Sequence, residues 1–209
     1  MSVVAVVDYG MGNLRSVSKA IEHVASGGRV VVTSDPAMVA AADRVVVPGQ
    51  GAMPDCMAQL AACGLRQAVI DAAASKPFLG ICIGLQMLFE HSEEGDIAGL
   101  GILPGRVRRF PAAETVARGL KVPHMGWNEV GQAEAHPLWQ GIPDGARFYF
   151  VHSYYVEPAA PEMIAGSTYY GIPFTSAVAR DNIFAVQFHP EKSAQAGLQL
   201  LGNFMRWRP

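Results

Sequence analysis

The chain has 209 residues, 50% of them hydrophobic and 16% charged, with a formal net charge of −2. That composition allows a sizeable core and excludes a disordered chain. The densest basic stretch, Arg106-Val107-Arg108-Arg109, is short enough to read as a solvated strand edge or a partner contact, which excludes a nucleic-acid surface built on charge.

Val3 to Val7 is a continuous apolar run without polar alternation, the pattern of a strand buried on both faces of a parallel sheet. Asp8 to Asn13 is its turn, and Leu14, Val17, Ile21 and Val24 then recur at helical spacing until Gly27-Gly28. Arg29 to Thr33 is a second strand, and Ser34-Asp35-Pro36 caps a short helix. Val45 to Val47 is a third strand, ending in Pro48-Gly49-Gln50-Gly51. Met53 to Ala74 is helical with a break near Gly64, and Pro77 to Ile81 is a fourth strand. A further helix-like pattern follows Cys82, with Leu85, Leu88 and Phe89 on one face. Strand and helix therefore alternate through the first ninety residues, which predicts an open α/β sheet with right-handed crossovers. From Gly95 onward, β segments between turn residues dominate: Ile102–Phe110, Leu120–Asn128, Arg147–Tyr155, Met163–Tyr170, Phe174–Ala179 and Ile183–Phe188. They predict an antiparallel portion beside the parallel sheet. Ser193 is placed as the cap of a final helix with Leu198, Leu201 and Phe204 or Met205 facing inward.

Cysteine occurs three times (Cys56, Cys63, Cys82), an odd count that argues for a reducing compartment and no disulfide framework. The apolar start is short and has no basic segment before it, so a soluble, cytoplasmic protein is expected, with residues 1–209 as one domain. His23, His91, His124, His136 and His152 show no ligand spacing, so neither a metal nor another cofactor is expected.

Three features sit at strand ends, where open α/β sheets bind ligands. Gly80-Ile81-Cys82-Ile83-Gly84 has the form of a sharp strand-to-helix turn presenting a nucleophile, whose thiolate a helix N-terminus would favour. His189 and Glu191 are two residues apart, so in extended backbone they point the same way, and the carboxylate can orient the imidazole that serves the thiol. Gly49 and Gly51 allow a turn whose N–H groups face a developing negative oxygen.

Pro-Gly-Gln-Gly (48–51), Gly-Ile-Cys-Ile-Gly-Leu-Gln (80–86) and His-Pro-Glu (189–191), in this order and spacing, resemble the class I, triad-type glutamine amidotransferases over essentially the whole chain. That resemblance implies a flavodoxin-like sheet and glutamine hydrolysis through a cysteinyl thioester, with Cys82, His189 and Glu191 as the triad. It implies an oxyanion site formed by backbone at Gly49, Gln50, Gly51 and Ile83. It also implies a glutamine pocket containing Gln86, Glu94, His152, Ser153 and Tyr154, where Gln86 reads equally as an exposed helix residue and Tyr154 as a core aromatic. Gln50 departs from the apolar residue usual at its position. Asp8 to Leu14, Pro123 to Asn128 and Tyr149 to Tyr154 are further similar to a narrower family, the glutaminase subunits of imidazole glycerol phosphate synthases of histidine biosynthesis.

The partner that this implies is a (β/α)8-barrel cyclase subunit, forming a heterodimer. Asn13, Trp127 and Lys192 are candidates for the contact, with a helix cap as the other reading of Asn13 and a core position as that of Trp127. A subunit of another amidotransferase pathway and an independent γ-glutamyl cysteine hydrolase are the rival readings. A last expectation concerns Gly49. If it needs positive φ, alanine there impairs reorientation of the Gly49–Gln50 peptide.

Overall fold

A computed structural model of the chain describes residues 2–25, 27–116 and 118–209. Strand and helix alternate first: β1 (Val3–Val7), α1 (Leu14–Val24), β2 (Arg29–Thr33), α2 (Pro36–Ala41), β3 (Arg44–Val47), α3 (Met53–Ala62), α4 (Arg66–Ser75) and β4 (Phe78–Ile81). A single helical turn, α5 (Ile83–Gln86), leads into β5 (Phe89–Ser92), β6 (Ile97–Ala98), β7 (Leu103–Arg109) and the short α6 (Ala112–Val116). Then come β8 (His124–Glu129), β9 (Gly131–Gln132), β10 (Arg147–His152), β11 (Tyr154–Pro158), β12 (Ile164–Tyr170), β13 (Ile172–Arg180), β14 (Ile183–Val186) and α7 (Ala194–Arg206).

The main sheet runs β2-β1-β3-β4-β14-β13-β11-β7-β5-β6. Its first five strands pair in parallel. From β14 the pairing turns antiparallel through β13, β11 and β7, and β5 returns parallel to β7. The expected mixed sheet is therefore present, with the order of a flavodoxin-like parallel half. Strands β3, β4 and β14 are buried at every position, which is why they read as unbroken apolar runs. A separate antiparallel ribbon joins β8 to β10.

Local signals behave as their chemistry dictates. The Asp35 carboxylate accepts from Ala37 N at 2.9 Å and Pro36 opens α2. Gly64 divides α3 from α4 with φ +69°. Arg106 and Arg108 pair with Glu157, and Arg108 also with Glu93, so these charges are neutralised on β7, which lies inside the sheet and not at its edge. All three cysteines are free thiols. Among the described residues, no helix is long and apolar enough to cross a membrane.

Two expectations need correction. The helix after Cys82 ends at Gln86 and Phe89 opens a strand, because returning chain takes the next carbonyls: Leu100 N donates to Met87 O and Leu103 N to Leu88 O, each at 2.8 Å. A helix dipole on Cys82 is thus limited to one turn. Ser193 stands at the start of α7, yet its hydroxyl donates to His189 O at 2.6 Å and accepts from Tyr149 N at 2.9 Å, and caps no helix N–H. Leu201 and Phe204 are buried as expected, joined by Leu200, while Leu198 and Met205 are half-buried.

Phe184 on β14 is fully buried and meets Trp139 edge-on, with 5.3 Å between ring centroids. Phe184→Ala is expected to lower the unfolding free energy by about 3–5 kcal/mol, read as a reduced urea midpoint with an unchanged m-value.

Candidate active site

Parallel pairing sets the site. Val47 lies opposite Gly80 and Val186 opposite Ile81, so the chain leaves β3, β4 and β14 side by side at Pro48, Cys82 and Gln187. Cys82 takes φ 56° and ψ −109°, a conformation that costs a non-glycine residue about 1–3 kcal/mol. Two contacts hold it there. Its N–H donates to Val186 O at 2.8 Å, and Gly84, without a Cβ, packs directly on the Val47 carbonyl. The sulfur is nearly buried, with Cys82 4% exposed.

His189 Nδ1 lies 2.8 Å from Glu191 Oε1, and both side chains are buried. They meet across the start of a tight turn at Pro190–Lys192, not along extended backbone as the two-residue spacing predicts. Nε2 of His189 has no protein partner and faces the Cys82 sulfur. Burial opposes charging of this ring, but the adjacent sulfur and the Glu191 carboxylate outweigh it and push its pKa up.

The turn after β3 is pinned at both ends. Tyr9 donates its hydroxyl proton to Pro48 O at 2.9 Å, and the Cys56 thiol donates to Gln50 O at 3.6 Å. Burial pushes the Cys56 thiol up to about 11, so it stays a donor. The N–H groups of Gln50 and Ile83 find no acceptor among the described residues. Gly51 has φ +107°, but Gly49 does not have positive φ, so the condition set on Gly49 is not met. Gly49 is glycine for space: a Cβ there would stand 2.5 Å from the Tyr9 hydroxyl and 2.8 Å from Ile83 Cβ.

A cavity of about 450 Å³ opens over these groups and gathers Gln50, Gly51, Cys82, Ile83, Gln86, Glu94, His152, Ser153, Tyr154, His189 and Lys192. Pro123, Tyr149 and Val151 complete its wall. Gln86 is 1% exposed, so the exposed-helix reading is wrong, and its Oε1 has no protein partner. Tyr154 is half-buried. Glu94 lends one carboxylate oxygen to Met53 N at 2.8 Å, tying the β5–β6 turn to the start of α3. Asn13 lies outside the cavity and caps α1 by accepting from Ser16 N at 3.3 Å. Trp127 also lies outside it, is 47% exposed, and stands edge-on to Tyr149, so it is no core tryptophan. Lys192 reaches over the Tyr149 ring.

Four residues of this neighbourhood were given no role from the sequence: Cys56 and Gln187, and Tyr9 and His124, which lie inside the segments of the narrower resemblance. Behind the cavity wall, His124 and His152 share a hydrogen bond of 2.9 Å, and His152 Nδ1 donates to Tyr154 O at 2.8 Å. Burial pushes both rings down, to about 4 for His124 and about 3 for His152.

Fold and site together define a glutamine amidotransferase. The profile described as glutamine amidotransferase class-I matches residues 5–207, and the chain belongs to that family. Among individual relatives, it is 71% identical over 212 residues to the imidazole glycerol phosphate synthase subunit HisH of Aromatoleum aromaticum, covering 100% of both chains. It is 66% identical to the protein of the same name from Dechloromonas aromatica, covering 99% of this chain and 97% of that one. Among solved structures, PurLQS from Thermotoga maritima superposes with TM-score 0.73 at 16% identity, covering 98% of each chain. A glutamine amidotransferase crystal structure superposes with TM-score 0.70 at 17% identity, covering 96% of this chain and 100% of that one.

Gly49→Ala is expected to abolish most glutamine hydrolysis by displacing the turn. Tyr9→Phe in the same chain removes one clash but leaves Ile83, so activity measured on the double variant recovers only in part. A second expectation concerns acid. The folded pKa values of His124 and His152 lie below the ordinary value near 6.5, so the folded protein binds fewer protons than the unfolded chain between them. Their stabilising contribution is complete above pH 6.5 and is lost as pH falls toward 4, at up to about 1.4 kcal/mol per pH unit per ring. Urea midpoints at pH 7 and 5 check this, and His124→Gln should flatten the difference.

Proposed function

We infer that this chain is the glutaminase subunit of an imidazole glycerol phosphate synthase. The observation that carries the reading is the convergence of Cys82, the His189–Glu191 pair and two free N–H groups in one cavity. The near-full-length identity to proteins named as that subunit supports it.

The Cys82 sulfur, its proton passed to His189, adds to the side-chain carbonyl carbon of glutamine. A C–S bond forms, and the oxygen carries negative charge against the N–H groups of Gln50 and Ile83. Collapse breaks the C–N bond while His189 returns the proton to the leaving ammonia. Water then adds to the γ-glutamyl thioester through His189, the C–S bond breaks, and glutamate leaves. Glu191 holds the ring and stabilises its charged form. Gln86 Oε1, unpartnered in the protein, is suited to a donor on the substrate.

Ammonia is mostly protonated in neutral water and would be lost there to a synthase. A (β/α)8-barrel cyclase seated over the cavity mouth would receive it and form imidazole glycerol phosphate and aminoimidazole carboxamide ribotide. Support for that seat comes from Met125 and Trp127, which are 63% and 47% exposed on β8, and from Lys192 and Tyr149 at the cavity wall. On this reading the chain works as one domain in the cytoplasm, where the pathway's soluble intermediates are found.

The test is Cys82→Ser assembled with the cyclase. Glutamine-dependent synthesis should fall at least about 1,000-fold while synthesis from added ammonium salts persists. Retention of glutamine-dependent synthesis would overturn the assignment. Glutamine turnover equally fast without the cyclase would favour an independent hydrolase.

A further inference from the structure

Between β14 and His189 lies a residue with no place in the mechanism above. Gln187 is completely buried, and its backbone N–H is spent on Ser176 O at 2.9 Å. Its side-chain amide touches two groups. Nε2 lies 3.7 Å from the Cys82 sulfur, and Oε1 lies 3.0 Å from Gln86 Nε2.

The orientation of that amide is determined by groups that have no choice. A main-chain carbonyl only accepts, and Tyr154 O receives Gln86 Nε2 at 3.1 Å. Gln86 therefore presents its nitrogen, and the Gln187 atom facing it must be oxygen. The other end of the Gln187 amide, aimed at the sulfur, must then be N–H. Tyr154 O also receives His152 Nδ1–H, which leaves His152 Nε2 as an acceptor for His124 Nδ1–H. His124 Nε2 in turn faces the Asn128 amide at 3.3 Å, and that amide also donates to Tyr169 O at 2.9 Å. Two main-chain carbonyls thus assign every donor in a chain that leads from the partly exposed Asn128 on β8 to the buried nucleophile.

We propose that Gln187 is a positioning residue for the nucleophile: its side-chain N–H holds the Cys82 sulfur and stabilises negative charge on it, in an orientation imposed through Gln86 and Tyr154 O. The buried histidine pair serves this arrangement by remaining neutral. A protonated His152 would carry N–H on both nitrogens and could no longer accept from His124. The inference rests on the assignment of Cys82 as nucleophile.

Gln187→Met keeps the bulk and removes the donor. The measurement is alkylation of Cys82 by iodoacetamide against pH, read by mass spectrometry, on the assembled complex, together with glutaminase kinetics. The alkylation midpoint should move up by about one pH unit, which means about tenfold less thiolate, and about tenfold lower kcat, at neutral pH. KM for glutamine should change less than about twofold, and kcat should recover as pH is raised. A structural role alone predicts loss that pH does not restore. An unmoved alkylation profile, or a kcat that stays low at high pH, overturns the proposal. If the variant does not fold, wild-type protein labelled with ¹⁵N-glutamine supplies the readout. The Gln187 side-chain amide resonances should then shift as Cys82 titrates, and lose that shift in Cys82→Ala. Resonances indifferent to Cys82 overturn the proposal equally. Failure of the Cys82→Ser experiment in the preceding section removes the nucleophile itself, an outcome distinct from either of these.

Discussion

The parallel pairing of β3, β4 and β14 is the constraint on which the site depends. Each strand contributes only a few residues, all buried, and hydrogen-bonds neighbours on both sides. A one-residue slip would turn every side chain to the opposite face and move one strand end past the others. The depth of β4 in this sheet determines where Cys82 emerges, and the depth of β14 determines where His189 does. The unfavourable backbone of Cys82 persists because neighbours on both sides over-determine it. Val186 holds its N–H, and Gly84 is locked on the Val47 carbonyl. The strain is thus carried by the same pairing that aligns the strands.

Within this frame, identical side chains are driven into different protonation states by what lies beside them. His124 and His152 are buried, and desolvation is the main cause that keeps them neutral, helped at His152 by the charges of His124 and His189 and opposed by its hydrogen bond to Tyr154 O. His189 is buried to a similar degree, but a carboxylate stands 2.8 Å from its ring and a sulfur on its other side, so the direction reverses. Cys56 shows the same logic for a thiol. Buried beside Tyr9 and the Gln50 carbonyl, it keeps its proton and serves as a donor. Acid–base function in this molecule is therefore a property of the pairings and not of the residue types.

The parallel half of the fold was legible because doubly buried strands leave short, β-branched apolar runs bounded by turn residues. The three motif segments were legible because a sharp turn at a strand end demands small residues, and those leave a spaced pattern. Other roles were not readable locally. Gln187, His124 and Tyr9 are polar or amphipathic residues whose burial follows from partners 28 to 105 positions away. Periodicity is blind to such partners. The end of α5 at Gln86 depended on hydrogen bonds from Leu100 and Leu103, also invisible to local spacing. The reason for Gly49 was out of reach for a related cause: φ is a local property, whereas the approach of Tyr9 and Ile83 belongs to the assembled sheet.

The distribution of unmet hydrogen-bonding capacity separates the part of the structure built for stability from the part built for a ligand. Among the described residues, four buried side-chain atoms lack a protein partner: Arg44 Nε, Gln86 Oε1, His189 Nε2 and Glu191 Oε2. Three of the four belong to the candidate site. Each such group, if left unmade, costs about 1–3 kcal/mol. Elsewhere among the described residues, Arg44 Nε apart, buried side-chain polar atoms are partnered, as at Asn203, whose amide bridges Leu138 O and Gln140 O. A fold selected for stability alone would have filled or replaced these three atoms as well. They are held in place by satisfied neighbours: Gln86 by Tyr154 O and Gln187, His189 by Glu191, and Glu191 by His189. Rigid support beneath unpaired groups is preorganisation, because the groups wait at fixed positions and need not be ordered when a substrate arrives.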